Sequence, residues 1–249
     1  MGEKGKERAM TVIGHLEELR KRLIFVIIFF VISLVIGFFL AQPVIEFFKS
    51  SPAAKNIPWN VFRLTDALRV YMQFSFFIGL TLSIPFVLFQ VWRFISPGLT
   101  KRERKSTTWF IPAAFILFLI GISFGYFIIF PMLVKFMSEL SKQMGVQEMY
   151  GMAQYFGFMF NMIIPFGILF ELPVIVLFLT RLGILTPKIL IKFRKIAYLI
   201  LVVIAASITP PEIVSEILVS IPLILLYEIS IWLSKIGSRK REKALEASE

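Results

Sequence analysis

The chain has 249 residues, 57% of them hydrophobic and 17% charged, with a mean hydropathy of +0.81. One water-soluble core does not need so large an apolar share, and several runs reach the roughly 20 residues that carry a helix across a bilayer core, so lipid is the expected solvent. Without Cys there is neither a disulfide framework nor a thiolate metal site, while the net charge of +11 is open to three readings: loop topology, nucleic acid, or acidic lipid headgroups.

From the N-terminus, Met10, Ile13, Leu16, Leu19 and Leu23 recur every three to four residues, with Glu17, Arg20 and Lys21 on the remaining face. This predicts an amphipathic helix over 1–22 lying on the cytoplasmic membrane surface. Apolar runs at about 23–40, 70–92, 109–133, 155–180, 196–208 and 213–233 then predict an all-α membrane domain with six transmembrane helices, followed by a tail over 234–249. The first run is too long for a secretory h-region, and no small-x-small cleavage site follows Leu40, so it is expected to be a span.

Between the first two spans, Pro43, Pro52 and Pro58 are expected to break any long helix, leaving a structured cap in which Val44, Ile45, Phe47 and Phe48 pack on the membrane face. Pro85, Pro112, Pro131, Pro165 and Pro173 fall in or at the ends of later spans and predict bent helices in a cupped bundle. The fifth run is short, about 20 Å at 1.5 Å per residue, so either Lys192, Arg194 and Lys195 snorkel from a deep position or the bilayer is thinned there. Thr209-Pro210-Pro211-Glu212 predicts a tight hairpin between the fifth and sixth spans. No internal repeat or soluble domain interrupts residues 1–249, which are expected to form a single membrane domain.

Lys and Arg set the direction. Of 27 basic residues, 21 lie in 1–22, 93–108, 181–195 and 234–249, and 6 lie in the alternate connections. Basic loops stay in the cytoplasm, so both termini are expected there, and topology accounts for the net charge better than nucleic-acid binding does.

Three acids stand in or beside apolar runs: Glu171 in the fourth, Glu216 and Glu228 in the sixth. A carboxyl at the bilayer centre costs roughly 2.5–3.5 kcal/mol on insertion scales, so it is expected to face a cavity, a partner or a substrate path. Glu171 is flanked by Phe166-Gly167-Ile168-Leu169-Phe170 and Leu172-Pro173-Val174-Ile175, whereas Glu228 is near enough to the cytoplasmic end to reach the interface. Glu17 and Glu18 precede Lys21 and Arg22 by four residues, the favourable order for helical ion pairs. That spacing leaves Glu103 unexplained within Lys101-Arg102-Glu103-Arg104-Lys105. An enzyme is not expected: His15 is the only His, no two-His metal site can form, and no phosphate-binding G-x-x-x-x-G-K-[ST] loop occurs, so neither metal nor cofactor is called for.

Four stretches in this order resemble the TatC family, the multi-span receptor subunit of the twin-arginine protein translocase. They are His15-Leu16-Glu17-Glu18-Leu19-Arg20-Lys21-Arg22-Leu23, the run Ser83 to Lys105, Phe166-Gly167 with Phe170-Glu171-Leu172-Pro173-Val174, and Thr209-Pro210-Pro211-Glu212. The resemblance implies a receptor in the cytoplasmic membrane of a prokaryote. It would bind the consecutive Arg pair in signal peptides of folded proteins, recruit single-span partners of the TatA and TatB type, and draw on the proton gradient in an oligomeric complex. It also implies that Glu18 and Glu103 receive the Arg pair, that Phe94 and Arg20 shape the same surface, and that Glu171 meets the translocation machinery inside the membrane. Spans five and six would dock partner helices, with Ala205, Ala206 and Ser207 small enough for close approach and with Glu212 and Glu228 nearby. Members of the family often carry Asp at the position of Glu212, which puts the geometry of that turn in question. A proton-coupled transporter of small solutes is the rival expectation, motivated by Glu171 and Glu228; it would call for inverted repeats with paired broken helices, which the sequence does not show.

Overall fold

The computed structural model describes residues 12–51, 54, 57, 59–96, 107–209 and 213–246. It is built from helices: α1 (Val12–Lys49), α2 (Asp66–Ile95), α3 (Phe110–Phe124), a π-helical turn (Gly125–Ile129), α4 (Phe130–Gln143), α5 (Met152–Leu169), α6 (Leu172–Arg181), α7 (Pro187–Lys192), α8 (Arg194–Ile208) and α9 (Ile213–Glu246). Among the described residues the only extended pairing is an isolated bridge between Asn60 and Gly151.

Among the described residues five helical stretches are long and apolar enough to cross a membrane: Leu16–Lys49, Asp66–Ile95, Phe110–Gln143, Met152–Arg181 and Ile213–Arg239. The expected run at 196–208 lies in α8, whose 15 residues reach about 22 Å, short of a roughly 30 Å hydrocarbon core.

Two helix boundaries differ from the sequence expectation. The described part of the expected surface helix, residues 12–22, continues without interruption into the first apolar run, because nothing between Leu19 and Phe25 breaks the hydrogen-bond ladder. Pro43 lies inside the same helix instead of ending it, and the chain leaves helical geometry only after Lys49. Pro52 and Pro58 lie outside the described residues.

Prolines mark the other irregularities. Pro131 cannot donate to the ladder and its ring crowds the preceding turn; the π-helical turn before it widens the helix, with the Phe130 N–H donating to the Gly125 carbonyl. Pro173 follows the junction between α5 and α6, where Phe170 and Glu171 keep helical dihedrals but the Glu171 N–H donates to the Ile168 carbonyl at 3.1 Å, a locally tightened turn. Pro85 and Pro165 stay inside α2 and α5.

Packing runs as a chain of neighbours. α1 lies along α2; α2 touches α3 and α5; α3 packs on α5; α6 packs on α9, which also carries α7 and α8. Glycines set the closest approaches. A Cβ added at Gly37 would fall 2.5 Å from the Ser75 carbonyl oxygen, and one at Gly121 would fall 2.6 Å from that of Phe166, so these glycines let α1 meet α2 and α3 meet α5 nearly backbone to backbone. The space between α2 and α5 is filled by aromatics: the Phe74 ring stands edge-on to Phe156 and to Phe160, each 4.9 Å away.

Beyond α1, residues 59–66 form a cap over the end of the bundle. Trp59 stacks on Phe156 at 5.2 Å, the Asn60 carbonyl accepts from the Met152 N–H at 2.9 Å, and the buried Asp66 carboxylate accepts from the backbone N–H groups of Phe62 and Arg63 at 3.0 Å each. At the opposite end Arg22 meets Gln90, and Thr180 shares a 2.8 Å hydrogen bond with Ser234, so α1, α2, α6 and α9 converge there.

Candidate functional site

The first site is a cleft of about 350 Å³ between α1 and α2 at the end opposite the cap, lined by Glu18, Lys21, Arg22, Phe25, Phe86, Gln90 and Arg93. Phe29 stacked on Phe86 at 4.3 Å clamps the two helices just beneath it. The i,i+4 spacing places Arg22 over Glu18: its Nε donates to Glu18 Oε1 at 3.1 Å and its Nη2 reaches the same oxygen. The guanidinium also donates to Gln90 Oε1 at 3.2 Å, which ties the pair to α2. Glu18 Oε2 is buried and has no hydrogen-bond partner among the described residues.

One carboxylate oxygen is thus used inside the protein and the other, buried, has no partner among the described residues, in a pocket whose remaining charges, Lys21 and Arg93, are positive. A second planar guanidinium fits that free oxygen well. Arg20 lies on the exposed face of α1 and Phe94 is half-buried near the end of α2; neither lines the cleft. Glu103 lies outside the described residues. Sequence reasoning passed over Gln90, although an amide set between Phe89 and Val91 in an apolar run was a legible signal.

The second site surrounds Glu171. The carboxyl is 7% exposed, and neither oxygen finds a hydrogen-bond partner among the described residues. It borders an apolar cavity of about 260 Å³ walled by α2 (Leu88, Trp92), α3 (Phe110, Ala114) and α6 (Val174, Phe178). Trp92 is held by a 3.2 Å hydrogen bond from its indole N–H to Thr107. Glu171 sits at the tightened turn from which α6 starts, two residues before Pro173. A buried carboxyl without a donor is costly, and the arrangement suits a donor or cation arriving from outside the chain.

The third region is the short helix α8 with α9. Glu228 is already occupied: it accepts from Arg194 Nη2 at 2.8 Å and from the Tyr198 hydroxyl. Arg194, one of the basic residues expected to snorkel, is thereby tied to α9. Ala205 is fully buried beside Val219 and Leu223, because the inner face of α8 needs a small residue there. Ala206 and Ser207 face outward, leaving two of the three small residues for a partner, and Glu212 lies outside the described residues.

Comparison with known proteins gives one answer. The family model described as Sec-independent protein translocase protein (TatC) matches residues 14–222. A Sec-independent protein translocase protein TatC of Halalkalibacterium halodurans is 51% identical over 237 residues, covering 95% of this chain and 94% of its own. TatCy of Bacillus subtilis is 49% identical over 242 residues, covering 97% and 95%. A crystal structure of the twin arginine translocase receptor TatC superposes with a TM-score of 0.80 at 34% identity, over 90% of this chain and 99% of that one. With the unpaired Glu18 oxygen and the buried Glu171 lying within the matched residues of an all-helical fold of the same shape, the chain belongs to the TatC family of Sec-independent protein translocase proteins.

Proposed function

We propose that this chain is the receptor subunit of a twin-arginine translocase, with the α1–α2 cleft taking one guanidinium of the signal peptide's Arg pair. The free Glu18 Oε2 carries this reading: a buried acceptor, held in place through Arg22 and Gln90, still lacks a donor. Glu103 would take the second guanidinium, with Arg20 and Phe94 at the rim. A guanidinium is more weakly hydrated than an ammonium and carries its donors in a fixed plane, which favours Arg over Lys at a partly buried carboxylate, and the surrounding positive charge makes each acid matter more than its number suggests.

The same reading places six crossings in the cytoplasmic membrane of a prokaryote, with both termini in the cytoplasm and α8 as a short fifth crossing. Glu171 would receive a polar group inside the membrane. The outward face of α8, with Ala206 and Ser207, and the Glu212 turn would dock TatA- and TatB-type single-span helices, in an oligomeric receptor complex driven by the proton gradient. Nucleic acid has no place in it. Membership of the family leaves the rival transporter reading without support.

The test is photo-crosslinking of a twin-Arg signal peptide to membranes holding this chain. Glu18→Ala and Glu103→Ala should each abolish the adduct, and a Lys-Lys peptide should give far less of it; unchanged crosslinking in both variants would overturn the assignment. Glu171→Gln should keep peptide binding but impair export, and normal export would return Glu171 to a structural role.

A further inference from the structure

Away from all three sites, α1, α2 and α5 enclose a cleft of about 680 Å³ at the capped end of the bundle, within the roughly 300–1,000 Å³ of typical ligand cavities. Its contents are graded along the helix axis. Arg69, one turn from the start of α2, stands at the mouth; Gln73 and Asn161 follow; Leu34, Phe76 and Ile164 line the depth. Val35, Phe38, Met72 and Phe76 are exposed, so the cleft opens sideways toward hydrocarbon.

Two polar groups in it are uncommitted. The exposed Arg69 guanidinium forms no ion pair or hydrogen bond among the described residues, since the nearby Asp66 carboxylate is used by the Phe62 and Arg63 backbone. Gln73 Oε1 is buried and has no partner among the described residues, and the amide lies against Gly157, where an added Cβ would fall 3.1 Å from Gln73 Nε2. The missing side chain at Gly157 leaves the middle of the cleft open.

We propose that this cleft binds an anionic phospholipid of the leaflet at the capped end. The phosphate pairs with Arg69, the ester linkages lie one turn deeper against the amides of Gln73 and Asn161, and an acyl chain fills the groove along Phe38, Phe76 and Ile164. A cation, then two amides, then hydrocarbon is the order in which a phospholipid presents phosphate, ester and chain. A crossing partner helix offers no reason for an unpaired guanidinium at the mouth, whereas a phosphate does. This inference does not depend on the signal-peptide reading.

The experiment uses the full chain reconstituted in vesicles of phosphatidylethanolamine with phosphatidylglycerol, extracted in mild detergent and weighed by native mass spectrometry. The wild type should retain one phosphatidylglycerol in preference to phosphatidylethanolamine. Arg69→Gln should cut that retention roughly five-fold, as expected for one basic residue against an anionic headgroup. Gly157→Leu, which fills the groove and leaves the charge, should also lower it, while Lys135→Gln, whose ammonium pairs with Glu139 elsewhere, should not. A photo-reactive residue at Met72 should give an adduct of lipid mass. Equal retention by the wild type and Arg69→Gln, an equal loss in Lys135→Gln, or an adduct of polypeptide mass would each overturn the proposal.

Discussion

Replacing Gly121 by Ala tests whether the α3–α5 contact holds Glu171 in place. The new Cβ would lie 2.6 Å from the Phe166 carbonyl oxygen and 2.8 Å from Phe170 Cβ. Ordinary contacts begin near 3.4 Å, so the helices must part by most of an ångström. The first neighbour is backbone and cannot rotate away. Overpacking of this kind costs about 1–3 kcal/mol, and the backbone clash puts it at the upper end; the gain in helix propensity from Gly to Ala returns about 1 kcal/mol. A net loss of about 1–2 kcal/mol corresponds to a midpoint lowered by about 2–8 °C for a chain of this length. Thermal unfolding of purified protein in one detergent, followed by intrinsic fluorescence, measures it. Gly157→Ala is the control, because its Cβ meets only the end of the Gln73 side chain and should unfold at or above the wild-type temperature. Since Phe166 and Phe170 immediately precede Glu171, export should fall in Gly121→Ala beyond what the lost folded fraction explains. An unchanged midpoint would refute the packing argument, and a lowered midpoint with export in proportion would refute the link to Glu171.

The remaining expectations concern single contacts. Gln90→Leu removes the acceptor that ties Arg22 to α2, so signal-peptide crosslinking at the α1–α2 cleft should weaken several-fold while the fold survives; full binding would show that this tie is dispensable. A double-mutant cycle of Arg194→Gln and Glu228→Gln should give a coupling of about 0.2–1 kcal/mol, as for a partly exposed pair, and zero coupling would mean that α8 is held by its apolar face and the Tyr198 hydroxyl without help from this ion pair. The hydrogen bond from Ser138 holds the carboxyl of Glu148, in the loop after α4, below its ordinary value near 4.5, with smaller help from Tyr150 and Lys142. A depressed value means that the contact stabilises above the unfolded value and is lost as pH falls through the folded one. Protection factors in 144–151, which allow for the slower intrinsic exchange in acid, should therefore fall below about pH 4.5, and Ser138→Ala should largely abolish that pH dependence.

How much was legible beforehand varied with the range of the interaction. Glu18 with Arg22 was visible as a four-residue spacing, and Glu171 as a charge inside an apolar run, because both signals are local. The boundary expected at residue 22 did not appear: amphipathicity marks which face of a helix is wet, and nothing in that marking ends the helix, so α1 runs on to Lys49. Pro43 misled for a related reason, since a single lost donor does not end a helix of 38 residues. Ala205 and its neighbours share small size, yet which of them faces inward depends on where Val219 and Leu223 arrive from α9. The cleft at Arg69 was invisible because its lining is drawn from three separate helices, from Leu34 in α1 to Ile164 in α5, which only the fold brings together.

The tightened turn at Phe170-Glu171 joins two differently fastened segments. α5 is fastened to α2 and α3, and α6 chiefly to α9, so the chain on either side of the turn belongs to a different group of helices. Glu171 lies where the two groups meet along the chain, so a ligand that engages its carboxyl touches the one segment they share.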